Sequence, residues 1–149
     1  MSTRSLRALA LICSTLAACG EQGAPEIRIR ESCHNGDLEV QVEGQHPLSC
    51  GELLRVALQY RAEYEARFGR QDLAGRPVRY RDADFVDSDE HTGRTYADAI
   101  DLARFEWAEL PHELNHVRVG SGHDRWCVDF EPWSEAVLGI DERAYLGCP

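Results

Sequence analysis

His112-Glu113-Leu114-Asn115-His116 puts two imidazoles and a carboxylate at a spacing that suits metal chemistry. Histidines at i and i+4 share one helix face, about 6 Å apart, so both rings can reach one ion. Glu113 then falls beside the position a water would occupy. A zinc ion lowers the pKa of such a water, and the carboxylate can take its proton. Gly120-Ser121-Gly122-His123 follows. Glycine tolerates the left-handed conformation that ends a helix, so this turn lets His123 swing back as a third ligand. Three protein ligands and one open position are the pattern of a catalytic zinc site, whereas a structural site is closed by four.

The segment HELNHVRVGSGHD, His112 to Asp124, resembles the zincin metallopeptidases, most closely the metzincin pattern HExxHxxGxxH followed by Asp. It departs from that pattern in two ways. Gly120 and His123 each come one residue late, and the chain's one methionine is Met1, so no Met-turn exists. The resemblance is therefore to zincins in general, and it spans about Ile100 to Asp124. It implies a zinc-dependent peptidase-like hydrolase acting on a peptide or protein substrate, with one zinc ion. Glu113 would be the general base and would then carry the proton to the leaving amine. In the gluzincin branch a glutamate from a later helix completes the site, which makes Glu135 the alternative third ligand. Glu135, Asp124 and Asp129 are otherwise candidates to orient a ligating histidine. Tyr145, Tyr96 and Arg125 are candidate donors to a developing oxyanion.

A different class of reading stays open: a metal-binding module for binding or envelope structure, without turnover. The small domain, two disulfides and the ligand spacing speak for it. Glu113 speaks against it, because a purely structural site needs only the histidines. A third reading is a motif arising by chance on a core helix. His34, His46 and His91 have no comparable context and read as surface residues.

The chain's beginning carries a second signal. Arg4 and Arg7 precede the apolar run Ala8 to Cys13, as in a secretory signal. Leu16-Ala17-Ala18-Cys19-Gly20 resembles the bacterial lipobox, which implies cleavage before Cys19 and lipidation of its sulfur. Several acyl chains anchor stably where one is marginal. Gly20 in place of Asp points to the outer membrane of a bacterial envelope. The apolar run is too short to span a bilayer. The expected organisation is a signal over residues 1–18, a polar tether over 19–27 and one domain over 28–149. Residues 1–18 hold two arginines and no acid, so their removal takes the net charge from −10 to −12. Such an acidic surface argues against nucleic acid as a partner.

Cysteine usage fits export. With Cys13 in the signal and Cys19 lipidated, Cys33, Cys50, Cys127 and Cys148 remain. Four cysteines allow three connectivities. Local pairing, Cys33 with Cys50 and Cys127 with Cys148, is the simplest. It would staple a strand to a helix start and tie the C-terminal tail to the loop after the motif. No CxxC pair exists, which argues against a cysteine-ligated zinc.

The elements that must position the histidines read as an α+β domain: a zincin-like build with a backing helix, a short β-sheet with an edge strand and the HExxH helix. Leu38 to Val42 alternates with period two and predicts a strand. Ser49 and Glu52 form a capping box, flanked by Leu48 and Leu53 as a hydrophobic staple. The helix they start runs from Cys50 to Phe68, with Leu53, Ala57, Tyr60, Tyr64 and Phe68 as its apolar stripe. Asp72 to Arg76 predicts a turn. Strands are expected over Val78–Val86 and Thr95–Leu102, with a turn at Thr92-Gly93. In zincins the strand before the metal helix pairs with extended substrate. The acidic run Asp82 to Glu90 lacks the spacing of a calcium loop and reads as solvated. Pro111 starts the metal helix near Leu110 or kinks one that begins near Phe105. Arg125 to Phe130 predicts a short strand, and Pro132 sits at the start of a helix running towards Leu138. Trp126 and Trp133 read as core in preference to pocket wall.

Overall fold

The computed structural model describes residues 23–120, 122–123 and 125–149. It shows an α+β domain with four α-helices and a mixed five-stranded sheet. The strands are β1 (Ile29–Asn35), β2 (Leu38–Glu43), β3 (Val78–Tyr80), β4 (Gly93–Thr95) and β5 (Ile100–Leu102). Their order in the sheet is β1-β2-β3-β5-β4. The β2–β3 and β3–β5 pairs are parallel, and both outer pairs are antiparallel.

Period two decides which face of β2 is buried. Leu38, Val40 and Val42 are fully buried while the residues between them are half-buried. Helix α1 (Cys50–Phe68) lies over this face. Ser49 caps it: its side chain accepts from the Glu52 N–H, and Glu52 accepts from the Ser49 N–H in return. Gly69 ends it at φ 83°, donating to the Glu65 carbonyl. Leu53, Ala57 and Tyr64 are buried, with Tyr60 and Phe68 half-buried beside them, as the stripe predicts.

Strands β3 and β5 are buried at every position, as parallel central strands are. Arg79 and Asp101 are register partners, so their side chains meet on one face. Asp101 accepts at 2.5 and 2.8 Å from Arg79 and at 2.8 Å from Arg81. Arg79 also donates to the Pro25 carbonyl at 2.9 Å, and the Ala24 N–H donates to Asp98 at 2.7 Å. The last part of the expected tether therefore lies on the domain.

Several expected elements are corrected. The strand expected over Val78–Val86 ends at Tyr80, because the Asp82 N–H is taken by the Glu43 carboxylate. The strand expected over Thr95–Leu102 is instead a hairpin of β4 and β5, and Gly93 opens β4 in place of turning the chain. Arg125–Phe130 is not a strand. Trp126, Phe130 and Trp133 recur at i, i+4 and i+7 and form the buried stripe of α3 (Trp126–Trp133). Pro132 lies inside that helix, not at the start of one. It removes the N–H that the Val128 carbonyl would otherwise receive, and Val128 is 83% exposed. A wider turn, Ser134–Leu138, and the short α4 (Arg143–Leu146) follow.

Both disulfides are local: Cys33–Cys50 joins β1 to α1, and Cys127–Cys148 joins α3 to the tail. The second therefore starts from a helix and not from a loop. His46 is also corrected. It is 2% exposed, with its Nδ1 accepting from the Leu48 N–H and its Nε2 facing the Arg104 carbonyl at 2.8 Å. Among the described residues no helix is long and apolar enough to cross a membrane.

Candidate metal centre

The motif lies on α2 (Leu110–Val119), preceded by a 3-10 turn over Trp107–Glu109. Pro111 occupies the first turn, where a missing N–H costs nothing, so no kink is needed. Gly120 stops the helix at φ 82°, with its N–H on the His116 carbonyl. The first six residues of α2, Leu110 to Asn115, are all buried, with His112 and Glu113 at 4% and 3% exposure. Asn115 ties it to the backing helix by accepting from the Tyr64 hydroxyl at 2.9 Å.

The ligand nitrogens of His112, His116 and His123 all lie within 4.8 Å of one another. Nε2 of His116 and Nε2 of His123 are 3.4 Å apart. Two nitrogens bound tetrahedrally to zinc at about 2.0–2.1 Å stand roughly 3.3 Å apart, so this separation fits one shared ion. Trp126, 1% exposed, lies beneath all three rings at 4.6, 4.7 and 4.5 Å between centroids. It belongs to the core, as expected, and also forms the floor of the histidine cluster.

The outward nitrogens are accounted for. His112 Nδ1 is 2.6 Å from Glu142 Oε2, and a carboxylate accepts, so Nδ1 carries a proton and Nε2 is the nitrogen left to face an ion. Ser134 Oγ lies 3.5 Å from the other Glu142 oxygen. His116 Nδ1 donates to the Gly120 carbonyl at 3.2 Å, which again leaves Nε2 for an ion. Burial holds the His116 pKa at about 4, keeping the ring in its neutral, ligating form. Burial disfavours a charged His112, but Glu142 and the charges of Glu113 and Glu109 outweigh it and raise that pKa.

Glu113 meets the edge strand. Its Oε2 lies 2.8 Å from Thr95 Oγ1. A Cβ at Gly93 would come within 2.7 Å of its Oε1, so glycine is what lets β4 pass this carboxylate. Burial pushes the Glu113 pKa up to about 7, against the opposing pull of His112 and Thr95. A carboxylate poised there can exchange a proton near neutral pH. A cleft of about 700 Å³ runs from the three histidines and Glu113 along β4, with Arg76, His91, Tyr96, Ala97 and Tyr145 also on its walls.

Of the proposed oxyanion donors, Tyr96 and Tyr145 line this cleft, and Tyr145 stands 5.7 and 5.6 Å from the His112 and His123 rings. Arg125 is exposed and not on its walls. Glu135 stands apart from the histidines: it is exposed and paired with Arg143 at 2.5 Å. Asp129 is paired with Arg118. Asp124 and Cys19 lie outside the described residues. His91, read as a surface residue, lines the cleft with Nδ1 3.0 Å from Asp87. Asp87, Asp89 and His91 also bring ligand atoms within 4.8 Å, but the Asp87 oxygens are taken by His91 and Arg94.

Glu142, Thr95, Gly93 and Arg76 were not singled out by spacing. Each reaches the site through the chain's return path and not through a local motif. No protein-family model matches the chain, and no curated protein or solved structure matches it either.

Proposed function

We propose that the protein is a zinc-dependent, peptidase-like hydrolase of zincin-like build, anchored to a bacterial envelope membrane through lipidated Cys19. The observation that carries the reading is the convergence of three imidazole nitrogens within 4.8 Å, with a buried glutamate on the same helix. The donor set fits the metal: neutral imidazoles suit zinc, and three of them leave a position open. His112, His116 and His123 would hold the ion, and Glu142 would hold His112 in its tautomer. A bound zinc would supply Lewis-acid polarisation of a carbonyl and acidify water.

The remaining steps belong to the chain. Glu113 takes a proton in its buried setting and returns it to the leaving amine. Thr95 and Gly93 fix where its carboxylate stands. Strand β4 is a sheet edge beside α2, so the place for an extended peptide is along β4 and not along β5. Tyr145 or Tyr96 would donate to the developing oxyanion.

The test is metal content and peptide hydrolysis of full-length protein in detergent. Glu113→Gln is expected to keep one zinc and lose hydrolysis. His112→Ala and His116→Ala are expected to lose both. Zinc binding with no cleavage across a broad peptide library favours the metal-binding module, and absence of stoichiometric zinc overturns the reading. For anchoring, Cys19→Ser is expected to leave the detergent phase or remain unprocessed.

A further inference from the structure

Arg76 stands on the same cleft wall as the edge strand, and unlike three of the chain's other buried or half-buried arginines it has no carboxylate partner among the described residues. Arg61, Arg79 and Arg81 all have carboxylate partners. Arg76 makes no ion pair among the described residues, although the chain holds 26 acids against 16 arginines. Its Nε and Nη2 donate to the Ala97 carbonyl at 3.3 and 3.0 Å. That bond fixes the guanidinium to the turn between β4 and β5 and leaves Nη1 without a partner among the described residues. Asp98, next to Ala97, is engaged by the Ala24 N–H. Among the described residues that line the cleft, Glu113 is the only carboxylate.

We propose that Arg76 is a specificity-determining residue that receives a carboxylate of the bound peptide, an inference that rests on the peptidase reading above. Ala97 lies two residues beyond Thr95, which touches Glu113. Two residues of chain span at most about 7 Å, so Ala97, in the turn that follows β4, lies within that reach of Thr95. An extended peptide on β4 therefore brings a group about two residues from the scissile bond to Arg76. A planar guanidinium with free N–H groups matches a carboxylate in a fork, which lysine cannot reproduce. The carboxylate can be an Asp or Glu side chain or the peptide's own C-terminus.

The experiment uses full-length zinc-loaded protein and four matched fluorogenic peptides, carrying Glu or Gln two residues from the cleaved bond and a C-terminal acid or amide. Wild type is expected to cleave one acid-bearing member at least tenfold faster in kcat/KM than its neutral counterpart, with most of the effect in KM. The Glu/Gln and acid/amide arms identify which carboxylate is read. Arg76→Gln is expected to abolish the preference, and Arg76→Lys to restore part of it. The same peptides are titrated against Glu113→Gln protein by anisotropy, so binding is read without turnover. Cleavage with no charge preference overturns the Arg76 assignment and leaves the peptidase reading intact. A binding preference without any cleavage does the reverse. Failure of all four peptides to bind overturns the assignment as well. The peptide comparison in wild type decides the matter even if Arg76→Gln does not fold.

Discussion

Glu142 reaches across thirty residues of chain to place its Oε2 2.6 Å from Nδ1 of His112. It is the oxygen that fixes the tautomer of the most buried histidine in the cluster. Removing such a partner typically weakens metal binding ten- to a hundredfold. Glu142→Gln is expected to lower zinc affinity by that range, read by competition with a chromogenic chelator. Equal affinity in the variant would show that His112 is oriented by packing against Trp126 alone.

The third ligand separates two variants. His123 lies within ligand distance of both other histidines, and Glu135 is engaged by Arg143 at the surface. His123→Ala is expected to reduce zinc affinity by at least a hundredfold, and Glu135→Ala to leave it unchanged. Zinc titration of both in parallel checks this. The opposite ranking would return the third ligand to Glu135.

Gly93 offers a test of Glu113 placement that leaves every ligand intact. An alanine Cβ would meet the Glu113 carboxylate at 2.7 Å. Displacing a catalytic group by about 1 Å can cost roughly a hundredfold in rate. Gly93→Ala is expected to keep one zinc and lose about that factor in hydrolysis. Unimpaired turnover would remove the proton-transfer role of Glu113 in this geometry.

The two disulfides are expected to separate stability from metal binding. Each closes a loop of about twenty residues, worth roughly 3 kcal/mol in the unfolded-chain picture. Cys33→Ser/Cys50→Ser should lower stability without changing zinc affinity in the folded protein. Cys127→Ser/Cys148→Ser should lower both, because the tail it ties down carries Glu142 and Tyr145. Chemical denaturation and chelator competition on the two double variants distinguish these outcomes.

Acid sensitivity has a defined source in Asp37. Its hydrogen bond to Arg61, outweighing the cost of burial, holds its pKa well below the usual carboxylate range. Arg61 is 6% exposed and also bonds Glu65 and the Gln71 carbonyl. A depressed folded pKa contributes stability that is present above the unfolded value of about 4 and is lost as pH falls towards the folded one. Asp37→Asn is expected to cost about 2 kcal/mol at pH 5. The gap to wild type should narrow between pH 4 and pH 2 in urea unfolding. A gap independent of pH would place the acid sensitivity elsewhere.

Local chemistry made part of this protein legible in its residue order. The i, i+4 histidines, the Ser49–Glu52 capping box, the glycine stops at 69 and 120, the period-two run in β2 and the local cysteine pairing all depend on neighbours within a few turns of chain. Those signals are set by backbone geometry, and the structure places each of them as read. Other features depend on where distant segments return. The aromatic run at Trp126 read as a strand because its helical stripe becomes clear only when Phe130 and Trp133 are seen to face the same core. The hairpin between β4 and β5 was hidden because one alternating pattern ran through its turn. Glu142 beneath His112, Thr95 and Gly93 against Glu113, and Arg76 on the Ala97 carbonyl carry no spacing signal at all. Burial brings them together, and tertiary packing alone decides which carboxylate, hydroxyl or guanidinium a histidine cluster meets.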